Sequence, residues 1–168
     1  GASVILISGP VALGGIPEVK TIKVETAIEM KNAVIRNCVK ADYIIMSAAV
    51  ADYMPAEQFT KKIKRTITNL NINLIPVPDI LKSIQDNTSA VIVAFALETH
   101  NGEKEAQRKM KQKGIDFIVL NYANEKGAGF DSNTNRVTIF SKNGKSMELK
   151  KDQKDRIAKK IIEYVLNN

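Results

Sequence analysis

Runs of apolar residues alternate along this chain with amphipathic stretches. Four runs are continuous and predict buried strands; they cover residues 4–8, 43–49, 90–96 and 116–121. Two less regular segments, "TIKVE" at 21–25 and "TNLNINLIPV" at 68–77, predict further extended structure. Because buried strands that alternate with helices form mostly parallel sheets, the pattern predicts an α/β fold.

Four stretches have the spacing and end signals of helices. The first, "TAIEMKNAVIRNCVKA", begins with Thr26 and Glu29, which together form a capping-box signature. The second, "PDILKSIQD", has Pro78 at a predicted first helical position. The polar third, "NGEKEAQRKMKQKG", is predicted to stop at Gly114. The last, "KDRIAKKIIEYVLNN", has three apolar residues on one side: Ile157, Ile161 and Val165.

Near the carboxyl end, "NRVTIFSKNGKSMEL" predicts a β-hairpin with Asn143-Gly144 as a two-residue turn. The complete prediction is a Rossmann-like three-layer α/β fold, with a mostly parallel sheet and an added antiparallel hairpin. With 168 residues, the chain is expected to form a single domain.

The composition narrows the function classes. The net charge of +7 favours an anionic partner, either nucleic acid, a membrane surface or a phosphorylated small molecule. No apolar run reaches the roughly 20 residues that a membrane-spanning helix needs. The single cysteine, Cys38, excludes a disulfide within the chain, fits a cytoplasmic setting and is expected in the core.

The sequence does not match the motifs of common phosphate-binding, dinucleotide-binding or zinc sites. "GPVALGG" follows a strand, but neither the Walker A pattern nor G-x-G-x-x-G fits it, so a tight turn is the simpler interpretation. One cysteine and one histidine do not make a zinc site, and His100 is expected in a surface loop.

Ligands of open α/β sheets bind beyond the carboxyl ends of the strands, which makes residues 48–52 notable. Ala48 would let a flat ring approach the backbone, or it simply fills a crowded sheet edge. Asp52 would accept hydrogen bonds from a ligand, or it caps a turn. The basic residues of 61–65 and the i, i+4 pair Lys109 and Lys113 would bind phosphates, or they are solvated. Phe95 packs on a ligand ring or on the core.

Seven short motifs together indicate a protein family far more specifically than any one of them does. "ISGPV", "TAIEM", "AAVADY", "KIK", "PDI", "FALET" and "GFDSNTN" occur in this order. Together they resemble the bacterial phosphopantothenate–cysteine ligases of coenzyme A biosynthesis over nearly the whole chain. The resemblance implies that CTP activates 4′-phosphopantothenate as an acyl cytidylate, which L-cysteine then converts to 4′-phosphopantothenoylcysteine. Magnesium would accompany the CTP.

The resemblance also implies a nucleotide site. Lys62 would be the catalytic lysine at the reacting phosphate and would stabilise its charge. The remaining nucleotide-binding residues would be Met46, Ser47, Ala48, Asp52, Pro78, Asp79, Ile80, Leu81, Phe95, Lys109 and Lys113. No metal ligand is identified.

Family members have a βα unit before "GASVILISGPV", with a Thr-Asn…Ser-Ser-Gly segment that bears on the acyl intermediate. This sequence lacks it, so we expect an N-terminally incomplete ligase domain over 1–168 that binds CTP without full activity. The resemblance further implies a homodimer formed through "RTITNLNINLIPV" and a fused or separate phosphopantothenoylcysteine decarboxylase. No FMN, nucleic acid or membrane is expected.

Two other classes compete with this reading. A basic nucleic-acid-binding domain fits the charge, but aromatic residues make up only 5% and no recognition motif is present. An NADPH-dependent Rossmann oxidoreductase fits the architecture but lacks the glycine fingerprint.

Overall fold

The computed structural model describes residues 1–65, 69–98, 102–122 and 132–168. His100, "GFD" of the "GFDSNTN" motif and residues 66–68 lie outside them. The described elements, in chain order, are β1 Ile5–Ser8, β2 Lys20–Lys23, α1 Ala27–Cys38, β3 Tyr43–Met46, β4 Tyr53–Pro55, β5 Leu74–Pro76, α2 Ile80–Ile84, β6 Val91–Glu98, α3 Gly102–Lys113, β7 Phe117–Tyr122, β8 Thr134–Ser141, β9 Ser146–Gln153 and α4 Lys154–Leu166.

The chain folds into two compact units. The first comprises Gly1–Arg36 and Ala48–Ile84, and the second comprises Asn37–Ser47 and Gln85–Asn168. In the part of the chain that the structure describes, no helix is both long enough and apolar enough to cross a membrane.

A five-stranded sheet organises the second unit, in the order β3-β6-β7-β8-β9. Strands β3, β6 and β7 run parallel, whereas β8 and β9 are antiparallel to their neighbours. This is the predicted α/β arrangement of a parallel sheet extended by an antiparallel hairpin. The fold class is thereby confirmed.

Helix α4 covers one face of this sheet. Its residues Ile157, Ile161 and Val165 pack against Val119 and Ile139, which are fully buried. Since side chains alternate along a strand, Ile118 and Leu120 point to the opposite face, and both are also buried. Helix α3 packs against β6 and β7. The predicted buried strands at 90–96 and 116–121 and the apolar side of α4 are therefore confirmed.

The predicted caps also form. The Glu29 amide donates to Thr26 Oγ1 (3.1 Å), and Glu29 Oε2 accepts from the Thr26 amide (3.2 Å), so the capping box closes at the start of α1. Gly114 ends α3 with a φ of +62°, and the Ile115 amide donates to the Met110 carbonyl at 3.2 Å. This bond is the one that a Schellman motif makes.

The burial predicted for two strands is wrong. Val4 and Ile5, which open the predicted run at 4–8, are 52% and 43% exposed, because among the described strands β1 pairs with β2 alone. The run at 43–49 ends as a strand at Met46, and Tyr43 and Ile45 are 43% and 51% exposed. Strand β3 lies at the end of the sheet order with β6 as its neighbour, so it lacks the enclosure of a central strand.

The hairpin turn also differs from the prediction. Its loop has three residues, Lys142, Asn143 and Gly144, closed by bonds from the Gly144 amide to the Ser141 carbonyl (3.0 Å) and from the Ser141 amide to the Lys145 carbonyl (2.9 Å). Only Gly144 has a positive φ, +86°. A two-residue type I′ turn needs positive φ at both central residues, which Asn143 does not adopt.

Candidate functional site

In the first unit, a short antiparallel ribbon joins two of the predicted nucleotide-binding segments. Strand β4 pairs with β5, with Tyr53 opposite Pro76. One step further along, the Asp52 carbonyl accepts a hydrogen bond from the Val77 amide at 2.9 Å. Asp52 therefore lies beside the chain that enters Pro78. The sequence placed both segments at the site, but it did not predict β4.

Helix α2 begins at Ile80, two residues later than predicted. Asp79 is the capping residue, because its Oδ1 accepts from the Lys82 amide at 3.2 Å. Pro78 therefore lies before the helix cap and not at the first helical position. Ile80 and Leu81 are 4% and 8% exposed, so their side chains belong to the core. A ligand at this segment would meet mainly backbone atoms and Asp79.

Lys62 lies on the surface of the first unit, in a stretch without regular secondary structure. Ala48 and Asp52 are also exposed. Around Lys62, Phe59 and Ile63 expose 66% and 47% of their surface. Apolar side chains thus accompany the basic residues of 61–65, and the segment is not a purely charged, solvated edge.

The glycine-rich segment near residue 14 does not form the predicted tight turn at its glycines. A Cβ added to Gly14 or Gly15 would meet nothing within 4 Å, and neither residue has a positive φ. The turn lies further along, where the Val19 amide donates to the Ile16 carbonyl at 3.2 Å. Glu18 there adopts a φ of +63°.

In the second unit, Met46 ends β3 and Ser47 follows it, whereas Phe95 lies within the neighbouring parallel strand β6. Met46 is paired with Ala94, the last pair between β3 and β6. Ser47 therefore follows β3, and Phe95 is the next residue of β6. The Phe95 side chain is half-buried and packs against the α4-facing core cluster. Of the two roles considered for Phe95, the packing role is observed, and its remaining surface stays accessible.

Lys109 and Lys113 lie on α3 one turn apart and are partly exposed. The buried residues of this helix are Ala106 and Met110. On the outer surface Arg108 pairs with Glu105 at 2.8 Å. This hydrogen-bonded guanidinium lowers the pKa of the Glu105 carboxyl, and the charges of Arg108 and Lys109 act in the same direction. The pair Lys109 and Lys113 forms a cationic strip at helical spacing, as predicted.

The predicted site residues are divided between the two units. The first unit holds Ala48, Asp52, Lys62, Pro78, Asp79, Ile80 and Leu81. The second holds Met46, Ser47, Phe95, Lys109 and Lys113.

One polar cluster was only half visible in the sequence. Asn121 is the last residue of the predicted strand at 116–121, whereas nothing in the sequence pointed to its partner Asn135. Asn135 Nδ2 donates to Asn121 Oδ1 at 2.7 Å, and Asn121 Nδ2 donates to the Ala96 carbonyl at 3.4 Å. Asn135 belongs to the "GFDSNTN" motif, for which the family resemblance implied no residue role. Asn135 lies 14 residues from Asn121 along the chain, so no short-range sequence pattern predicts their contact.

Metal ligands were not predicted. Over residues 1–65, 69–98, 102–122 and 132–168, no group of three or more His, Cys, Asp or Glu side chains is arranged to hold a metal ion.

Comparison with known proteins gives matches over most or all of this chain. The family described as DNA/pantothenate metabolism flavoprotein C-terminal domain matches residues 1–168. A relative from an unknown prokaryotic organism, named cysteine/cysteine sulfinic acid decarboxylase, is 38% identical over 169 aligned positions, covering 99% of this chain and 47% of that protein. The coenzyme A biosynthesis bifunctional protein CoaBC of Bacillus subtilis (strain 168) is 40% identical over 153 positions, covering 89% of this chain and 37% of that protein.

A solved structure agrees with these matches. The crystal structure of the C-terminal domain of a coenzyme A biosynthesis bifunctional protein CoaBC superposes with a TM-score of 0.81 at 34% identity, covering 98% of this chain and 74% of that one. This chain spans less than half the length of the two curated relatives.

Proposed function

The chain belongs to the DNA/pantothenate metabolism flavoprotein C-terminal domain family, and from that premise we propose that it is a phosphopantothenate–cysteine ligase of coenzyme A biosynthesis. The family match over the whole chain carries the proposal, and the fold shared with the CoaBC C-terminal domain supports it. The order of motifs from "ISGPV" to "GFDSNTN" points to the same reaction.

The proposed reaction has two steps. A carboxylate oxygen of 4′-phosphopantothenate attacks the α-phosphorus of CTP, and the bond to pyrophosphate breaks. The amine of L-cysteine then attacks the acyl carbon, CMP leaves, and the amine proton passes to solvent. Lys62 would stabilise the charge that builds up on the phosphate during the first step. Its exposed position in the first unit leaves it accessible to a ligand.

We assign each proposed nucleotide contact from the chemistry of the residue that makes it. Lys109 and Lys113 would bind the triphosphate, because their ammonium groups share one helix face. Asp52 would accept hydrogen bonds from the nucleoside, and Ala48 would leave room beside the backbone. At Pro78 to Leu81, backbone groups and Asp79 would make the contact, since Ile80 and Leu81 are buried. Met46, Ser47 and the accessible part of Phe95 would line the pocket.

Magnesium is proposed to reach the site with CTP. Mg²⁺ usually retains water ligands and is held largely by substrate phosphates, and here it would neutralise triphosphate charge. No protein ligand is assigned. The absence of FMN remains a prediction, which the flavin absorbance of the purified chain tests directly.

A homodimer and a decarboxylase partner are proposed as well. The segment that follows residue 68 alternates asparagines with Leu70, Ile72 and Leu74, which are 60%, 65% and 53% exposed. Such an exposed apolar row is typical of a protein contact. Ile72→Lys should therefore give monomers in sedimentation, whereas Asn71→Lys, the same charge on the alternate position, should not. A cytoplasmic location is proposed from the metabolic role of the relatives.

Thermal unfolding with magnesium and CTP, ATP or NADPH tests the proposal. CTP at 100 times its Kd would stabilise the folded chain by about 2.7 kcal/mol. The variant Lys109→Ala/Lys113→Ala should lose most of this shift. The matched control Lys104→Ala/Lys111→Ala removes the same charge from the opposite side of α3 and should retain it. Equal loss in both variants would show that only net charge matters.

Other outcomes point to the competing functions. A shift with NADPH but not with CTP would favour an oxidoreductase. Strongly salt-dependent binding of random DNA or RNA would favour a nucleic-acid-binding domain. Release of carbon dioxide from cysteine or cysteine sulfinic acid would favour the activity for which the first relative is named. Release of pyrophosphate from CTP that requires 4′-phosphopantothenate would support the ligase.

A further inference from the structure

Two asparagine amides tie three strands together at the carboxyl end of the second unit's sheet. Asn121 is the next-to-last residue of β7, and its Nδ2 donates to the carbonyl of Ala96 on β6 at 3.4 Å. Its Oδ1 accepts from Nδ2 of Asn135 on β8 at 2.7 Å. Asn135 is held in turn, because its Oδ1 accepts from the Arg136 amide at 3.0 Å. The Asn121–Asn135 pair therefore links β6, β7 and β8 through side chains.

The Asn121–Asn135 pair is bonded to the part of β6 that lies beyond its pairing with β3. Pairing between β3 and β6 ends at Met46 and Ala94, whereas β6 continues beside β7 to Glu98. Among the strands that the structure describes, β6 is therefore paired on one side only from Phe95 onwards. The bond from Asn121 to Ala96 adds a restraint one residue after Phe95. A backbone with one ladder partner gains more from such a bond than one held on both sides.

The pair also lies on the side of the sheet to which Phe95 projects. Val119 is directly opposite Phe95, and both residues belong to the packing that α4 covers. Asn121 is two residues beyond Val119 on the same strand, so its side chain points to the same face. Asn121 and Phe95 are therefore neighbours across one face of adjacent strands.

The part of the "GFDSNTN" motif that the structure describes is anchored in the fold. The carbonyl of Asn133 accepts from the Lys154 amide at the start of α4 (3.0 Å), and Ser132 Oγ accepts from the Thr134 amide (3.1 Å). The first of these bonds joins the start of β8 to the start of α4. Asn135 therefore reaches Asn121 from a strand end that is hydrogen-bonded to the helix.

We propose that Asn121 and Asn135 are positioning residues for nucleotide binding, which hold the end of β6 so that Phe95 presents its ring to the base of CTP. This inference rests on the proposed function and extends it to residues for which the family resemblance gave no role. An aromatic surface binds a ring well only when its plane is fixed, since small displacements from a productive geometry are costly.

The decisive variant is Asn121→Asp in the 168-residue chain. The substitution keeps the oxygen that accepts from Asn135 but places a second oxygen against the Ala96 carbonyl. We expect the Kd for CTP to rise about tenfold, as for the loss of one hydrogen bond. Inorganic tripolyphosphate, which has no base, should bind as tightly as it does to the unaltered chain. Isothermal titration measures both ligands.

Asn143→Asp is the matched control. Asn143 lies in the loop at the other end of β8, and its Oδ1 accepts from the Lys145 amide at 3.1 Å and from the Ser141 hydroxyl. A carboxylate preserves both bonds and adds the same charge. CTP should therefore bind this variant and the unaltered chain equally.

The possible outcomes distinguish failure of the proposed function from failure of this inference alone. If the unaltered chain binds no CTP, the proposed function fails and this inference fails with it. If the unaltered chain binds CTP and Asn121→Asp binds it equally well, or loses CTP and tripolyphosphate alike, only the inference fails. Asn135→Asp, which breaks the other bond of the pair, should reproduce the selective loss of CTP if Asn121→Asp does not fold. Should neither variant fold, the pair is a folding requirement and the positioning role is wrong.

Discussion

Two neighbouring isoleucines of α4 allow the packing of the second unit to be tested with one residue type. Ile161 is 5% exposed and belongs to the core cluster with Val119 and Ile139, whereas Ile162 is 47% exposed. Substituting each with alanine removes the same atoms from the same helix. The two variants therefore differ only in the environment that those atoms leave.

The expected magnitudes follow from burial. Isoleucine to alanine removes three carbon atoms, worth about 0.8 kcal/mol each when fully buried, or about 2.4 kcal/mol in total. The cavity adds to this cost, and such substitutions typically lower the free energy of unfolding by about 2 to 5 kcal/mol. At Ile162 the lost burial is smaller, and alanine's better helix propensity returns a few tenths of a kcal/mol. We expect Ile162→Ala to cost less than about 1 kcal/mol.

Urea unfolding followed by circular dichroism measures both variants. With a slope of about 1 to 3 kcal/mol per molar urea, Ile161→Ala should lower the midpoint by about 1 M or more. Ile162→Ala should leave the midpoint near that of the unaltered chain. Equal midpoints for the two variants would refute the packing of α4 on the sheet as described.

Three further predictions concern local structure. Thr26→Ala should lower the free energy of unfolding by about 1 kcal/mol, with Thr26→Ser as the control that keeps the cap. The amides of Glu25 and Thr26 donate hydrogen bonds to the Glu29 carboxyl and lower its pKa from 4.5. The stability that this group contributes is present above pH 4.5 and is lost as the pH falls through the lowered pKa. Glu29→Gln should therefore make the free energy of unfolding less dependent on pH in that range. Gly114→Ala should cost about 1 to 2 kcal/mol because of the positive φ, whereas Gly15→Ala, with open space around it, should cost almost nothing by thermal unfolding.

The sequence predicted best those elements whose burial comes from their own strand and helix patterns. The runs at 90–96 and 116–121 became β6 and β7, and the Ile157, Ile161, Val165 stripe became the buried side of α4. The capping box and Gly114 were equally clear, because each depends on contacts within a few residues. These features need no knowledge of distant parts of the chain.

The errors arose where distant partners decide the outcome. An apolar run does not reveal whether its strand is central or at an edge, which is why β1 and β3 are more exposed than expected. Strand β4 is three residues long and becomes visible only through its pairing with β5. For the site, residue types and family likeness named the segments, but not the bond between Asp52 and Val77. Nor did they indicate the contact between Asn121 and Asn135.

The position of β9 at the end of the sheet order has a consequence for solubility. A strand with one neighbour presents unpaired backbone groups that other chains can extend into an aggregate. Strand β9 carries exposed charged residues along this edge: Glu148, Lys150 and Lys151. A second sheet approaching in register would bring lysines against lysines and bury their charges. The charges of β9 therefore end the sheet at this side and protect the chain from growth by strand addition.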